Sequence, residues 1–81
     1  MTKAKQKETA IYRITRRIDN METAQDLQCL EYFDASISAM IFLSWRLEII
    51  TKEERQNLEG LQCDKYFMIK HKLENTEKIA V

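Results

Sequence analysis

Few residues in this chain are of a type that does covalent or acid–base chemistry, and their spacing keeps them apart. There is one His, His71, and there are two Cys, Cys29 and Cys63. A Cys nucleophile needs a base within hydrogen-bond reach. Cys63 and His71 lie about 12 Å apart along a helix at 1.5 Å per residue, so they cannot form that pair on one helix. Structural zinc wants four soft ligands at short paired spacings, and one His with two distant Cys does not supply them. Glu53-Glu54 are adjacent carboxylates, but they follow Thr51 at a helix start, and capping explains them. With Gly60 as the single Gly, no Gly-rich phosphate loop can be built. The expectation is a protein that is not an enzyme and has no metal and no cofactor. Its Cys residues read as small buried hydrophobes.

Binding chemistry has more to work with. Residues 1–18 carry Lys3, Lys5, Lys7, Arg13, Arg16 and Arg17 against Glu8 alone. Residues 19–34 carry Asp19, Glu22, Asp26, Glu31 and Asp34 with no base, and the net charge of the whole chain is zero. Arg13, Arg16 and Arg17 could contact nucleic acid phosphates or an acidic partner protein. A dedicated nucleic-acid binder is usually basic overall, so a basic helix lying near an acidic one is the plainer reading. A helix-turn-helix is the other nucleic-acid reading. Arg55, Gln56 and Asn57 open a helix after a tight turn, but Glu53, Glu54 and Glu59 would repel phosphates there.

The elements that must hold these groups are helices. The chain has 81 residues, no Pro and one Gly, too few turn formers for an all-β fold. Its length fits one small domain, 1–81, which buries only roughly 60% of the surface of the unfolded chain. Residues 1–7 and 75–81 read as disordered tails. No apolar stretch follows a charged start, so no signal peptide is expected. The Ile37–Ile50 run is interrupted by Ser38, Ser44, Arg46 and Glu48 and is short of the ~20 residues a membrane helix needs. A cytoplasmic protein with reduced thiols and no membrane contact is the expectation.

A first amphipathic helix is expected over about 8–20. Ile11, Ile14, Ile18 and Met21 share one face, and Arg13, Arg16, Arg17 and Asn20 lie opposite. A second is expected from an N-cap at Thr23 to about Ile49, with Leu27, Leu30, Phe33, Ile37, Met40, Ile41, Ser44 and Leu47 as its core stripe. Thr51-Lys52-Glu53-Glu54 is a capping box after the apolar Ile50. It starts a third helix running to about Lys72, with Leu58, Leu61, Lys65, Met68, Ile69 and Leu73 inward. A tight turn near Ile50 makes helices two and three antiparallel neighbours, with residue i facing about residue 99 − i. The two Cys are then near 10 Å apart axially, too far for a bridge within the chain. Leu27–Phe33 (LQCLEYF) echoes Leu61–Phe67 (LQCDKYF), but the flanks do not repeat.

Towards the end of helix two the polar face is lost. Met40, Ile41, Phe42, Leu43, Trp45, Leu47, Ile49 and Ile50 point in nearly all directions, and a helix apolar all round is covered on all sides. One hairpin partner and helix one cannot cover it all. Met40, Phe42, Leu43, Trp45 and Leu47 are therefore the expected residues of an interface, first with a second copy of the chain. A heteromeric partner or a monomer exposing Phe42 or Trp45 are the other arrangements.

Leu43 to Leu61, centred on Ile49-Ile50-Thr51-Lys52-Glu53-Glu54, resembles the short helical hairpins of SHOCT-type modules. Those have an apolar helix followed by a "leucine/isoleucine-threonine-x-glutamate-glutamate" helix start. The Gly usual before the Ile-Thr is Glu48 here, and the aromatic after the second Glu is Arg55. The resemblance covers about 19 residues, and implies self-association and a bacterial, phage or mobile-element setting. The expected architecture is all-α: an N-terminal amphipathic helix on a long antiparallel helical hairpin, paired as a homodimeric bundle. The expected function is non-enzymatic regulation by docking a helical surface on an unidentified partner protein, as in a phage or mobile-element accessory protein or inhibitor. The alternative is a dimeric nucleic-acid-binding regulator.

Overall fold

A computed structural model describes the backbone of residues 2–80 and the side chains of residues 2–75. The described chain is helical throughout. Helix α1 spans Lys3–Asn20, a 3-10 turn spans Met21–Thr23, α2 spans Leu27–Arg46 and α3 spans Lys52–Ala80. Helix α1 begins five residues before the expected Glu8, because Thr2 caps it: the Lys5 N–H donates to Thr2 Oγ1 at 3.2 Å. Lys7 is also held, by Glu54 at 3.3 Å. Helix α3 continues past Lys72 to Ala80, with no Gly or Pro to stop it.

The three helices alternate in direction. The second turn of α1 meets the first turn of α3 through Lys7 and Glu54, and Glu22 meets Lys65 at 2.7 Å. Helix α2 runs back between them. Trp45 meets Arg55, Ser38 meets Gln62 and Glu31 meets Tyr66, each pair close to the expected register. The core forms where all three helices converge. Ile14 and Ile18 come from α1, Met21 from the 3-10 turn, Leu30, Ile37 and Ile41 from α2, and Leu58 and Ile69 from α3. Each set recurs at spacings of four, seven or eleven, sums of threes and fours that keep side chains on one face.

Helix α2 differs from its expected limits at both ends. Thr23 is not its cap: its hydroxyl donates back to the Asn20 carbonyl at 2.7 Å. Asp26 is the cap, with the Cys29 N–H on Oδ1 at 2.7 Å. Both residues are good N-cap types. Burial of Met21 and Ala24 draws the intervening chain against the core and leaves Asp26 at the start. At the other end α2 stops at Arg46, three residues before Ile49. The Glu48 N–H donates to the Trp45 carbonyl at 3.0 Å and the Ile49 N–H to the Ser44 carbonyl at 2.9 Å. That pair of bonds is a Schellman closure, which wants a left-handed residue, usually Gly. Glu48 takes it, at φ 60°.

A side chain in that conformation costs about 1 kcal/mol. Glu48→Gly is therefore expected to stabilise the fold by about 0.5–1 kcal/mol, the gain being reduced by the greater freedom of Gly in the unfolded chain. An unchanged or lower urea midpoint would contradict the assigned turn. Gly60 is the opposite case. It lies inside α3, and a Cβ there would meet nothing within 4 Å, so no close backbone approach explains it.

The expected inner faces hold in part. Ile11 and Leu27, with Phe33 and Met40, pack on the core, but Leu47 is 62% exposed because the helix has ended before it. On α3, Leu61 and Met68 stand half in solvent and Gln62 is buried instead. The buried stripe follows Leu58, Gln62 and Ile69: Leu58 and Ile69 are buried as expected, Leu73 packs on the core, and the stripe turns only roughly 30° from the expected one at 100° per residue.

Candidate interaction surface

The five expected interface residues separate into two groups. Met40 and Trp45 are half-buried against the core. Phe42, Leu43 and Leu47 are each more than half exposed. Trp45 is covered by the Arg55 guanidinium, 4.3 Å above its ring. Arg55 is in turn fixed by Glu59, whose Oε1 accepts from Nε at 2.6 Å. The Phe42 ring packs against Trp45 at 6.1 Å between centroids and turns its far side outward.

Helices α2 and α3 leave a groove on the side away from α1, with a volume of about 520 Å³. Phe42 and Arg55 stand at one end, and Tyr66 and Phe67 at the other. Between them lie Ser38, Gln62 and Cys63. Gln62 is 7% exposed, and the two hydrogens of its Nε2 are shared among Asp34 Oδ1 at 2.9 Å, Ser38 Oγ at 2.8 Å and the Asp34 carbonyl at 3.1 Å. A buried amide must find such partners, and this one locks the rotation of α3 against α2. The Tyr66 hydroxyl donates to Glu31, and that bond with burial pushes the phenol up to about 12. Phe67 stacks edge-on against Tyr66 at 5.3 Å and is 58% exposed.

Phe67, Tyr66 and Gln62 were not among the residues expected to form a site, and Arg55 was weighed only for nucleic-acid contact. Part of the signal was present. Phe67 lies two residues from Ile69, which places it well around the helix from the core. Gln62 could not be found this way, since a polar residue at that period reads as solvated. Leu43 lies instead in the groove between α1 and α2, and Leu61 and Met68 in that between α1 and α3.

The expected arginine cluster is also divided. Arg13 is exposed, and Arg16 donates to the Tyr12 hydroxyl at 2.9 Å. Arg17 turns inward. Its guanidinium sits 5.0 Å from the Phe33 ring, and its Nε is buried with no hydrogen-bond partner among the described residues. The cause is position: Arg17 immediately precedes buried Ile18 and follows buried Ile14 by three residues, so it flanks the core face. Its stem buries apolar surface and its charge stacks on a ring.

Two carboxylates tie the ends of the bundle. The hydrogen bond and charge of Lys65 hold Glu22 below its ordinary value. The backbone bond from Thr51 does the same for Glu54, helped by the Thr51 hydroxyl and Lys7. The reciprocal bonds are 2.8 Å (Thr51 N–H to Glu54 Oε1) and 3.2 Å (Glu54 N–H to Thr51 Oγ1). A lowered carboxylate contributes stability that is present above its ordinary value, 4.5, and lost as pH falls through the folded value. The urea midpoint is expected to fall as pH drops below about 4.5, and less steeply when Glu22 and Glu54 are both Gln. Equal slopes in the two proteins would contradict this.

Both Cys are free; Cys29 is half-buried and Cys63 exposed. His71 is exposed and bonds Asn75 at 3.2 Å. Among the described residues no group of three His, Cys, Asp or Glu is placed to hold a metal. No helix there is long and apolar enough to cross a membrane. The chain matches no family model, no curated protein and no solved structure.

Proposed function

We propose that this chain is a non-enzymatic interaction protein that pairs with itself and regulates a partner protein by docking a helical face on it. The observation that carries this is the open side of α2 and α3, where Phe42 and Phe67 are each more than half exposed beside a groove. Exposed apolar surface on a small bundle is a common mark of an interaction site. The fold gives that surface a rigid base, since Gln62, Arg55 and Tyr66 fix both helices beneath it. A cytoplasmic setting, expected from the sequence's lack of a membrane-length apolar run and its few Cys, and a phage or mobile-element accessory or inhibitory role, suggested by the sequence resemblance, belong to the same proposal.

The test compares wild-type protein and Phe42→Asp as baits in a lysate of the native host. A protein retained by the first and lost from the second supports the proposal. Equal retention by both overturns it for this face.

A second reading, nucleic-acid binding, is favoured by exposed Arg13 and Arg16 on α1. Arg17 supports it less, because its charge is stacked on Phe33. It expects duplex DNA binding that weakens steeply with salt and is lost in Arg13→Ala/Arg16→Ala. Absence of a shift at low salt removes it.

A further inference from the structure

We propose that a second copy of this chain covers the outward stripe of α2, whose Ser38 and Phe42 rim the α2–α3 groove, with α2 lying antiparallel on the partner's α2 about a two-fold axis beside Ser38 and Ala39. This rests on the self-pairing proposed above and assigns its face and register.

The outward side of α2 carries Glu31, Ala35, Ser38, Ala39, Phe42 and Arg46, all exposed. They recur at spacings of three and four, so they form one stripe. The stripe is self-complementary in one direction only. About the midpoint between Ser38 and Ala39, Phe42 mirrors Ala35 and Arg46 mirrors Glu31. Antiparallel pairing therefore sets each large ring over a small residue and each guanidinium beside a carboxylate, twice. Parallel pairing in register sets Phe42 on Phe42, Arg46 on Arg46 and Glu31 on Glu31, with like charges opposed.

The charges are placed for this. Glu31 and Arg46 are about 22 Å apart along the helix, so two ion pairs frame the contact. The Tyr66 hydroxyl donates to Glu31, which orients the carboxylate and leaves its other lone pairs for a guanidinium. Small residues at the centre allow the helix axes to approach at about 8 Å, the close end of the usual range. Phe67 stands on α3 level with the first turns of α2, across from Glu31. In the antiparallel pair that level meets the partner's Phe42–Arg46 segment, so Phe67 widens the apolar seat.

Crosslinking tests the register. In a Cys29→Ala/Cys63→Ser background, Ala39→Cys is expected to form an interchain disulfide on mild oxidation, since residues at the axis come within about 7 Å of the partner's Cα atoms. Gln28→Cys, far from the axis, is expected to remain monomeric on a non-reducing gel. Arg46→Glu should weaken the pair about tenfold, a change of about 1.4 kcal/mol, and Glu31→Arg in the same chain should restore it. Circular dichroism checks that both variants stay helical. A two-chain species that crosslinks equally at residues 28 and 39, or at neither, and ignores Arg46→Glu overturns the assigned face and leaves self-pairing standing. A single-chain mass at every concentration overturns self-pairing itself.

Discussion

Ile37→Ala is expected to destabilise the fold by about 3 kcal/mol. Ile37 is fully buried at 0% exposure, in the layer where α1, α2 and α3 meet. Removing three of its carbons loses transfer free energy and leaves a cavity that three packed helices cannot collapse around. A domain of this length holds about 4–12 kcal/mol in total, so much of its stability goes. Phe42→Ala, five residues later on the same helix, is expected to change the single chain by less than about 0.5 kcal/mol, since it empties no core site. The comparison reads the division of the apolar run directly. Urea titrations followed by circular dichroism, at concentrations low enough to separate any pair, would show it. Equal losses in the two variants would place Phe42 in the core and contradict the surface described above.

Gln62→Glu is expected to cost about 3 kcal/mol at pH 7, because it buries a carboxylate against the acceptors Asp34 and Ser38. The wild-type amide donates to Asp34 Oδ1 and Ser38 Oγ. A carboxylate cannot donate, and it would face Asp34 as a like charge. Its folded pKa would be raised, so the lost stability returns below the unfolded value near 4.3 and disappears again as pH rises. The variant should therefore approach wild type near pH 4, and Asp34→Asn in the same chain should restore much of the loss at pH 7. A Gln62→Glu protein as stable as wild type at pH 7 would mean that residue 62 faces water.

What was legible in the sequence was what short-range chemistry decides. The Thr51–Glu54 box forms as expected because both of its bonds are local. The Ile11, Ile14, Ile18 and Met21 face follows from helical period alone. The register of α2 on α3 follows from the tight turn before Thr51. Where two local signals compete, the decision moved elsewhere. Thr23 and Asp26 are both cap types, Asp the stronger, and the burial of Met21 and Ala24 further favours Asp26. Glu48 closes α2 in a conformation that suits Gly, so the helix ends earlier than its composition suggests.

The candidate site was half legible. Phe42 and Leu43 are exposed as the loss of a polar face implied, while Trp45 is covered by an arginine ten residues away in sequence. Arg17 looked like part of a basic face and is spent on Phe33. Gln62 looked solvated and is buried. Each of these depends on a neighbour from another helix, which periodicity along one helix does not carry.

The apolar run from Ile37 to Ile50 is proposed to divide between a core and an interface with another copy of the chain. Light scattering after size exclusion, across micromolar concentrations, tests it most directly. The expected result is a mass twice 9.7 kDa for the wild type, and a single-chain mass for Phe42→Asp with its helical spectrum intact. A wild-type protein that stays at 9.7 kDa throughout would contradict it.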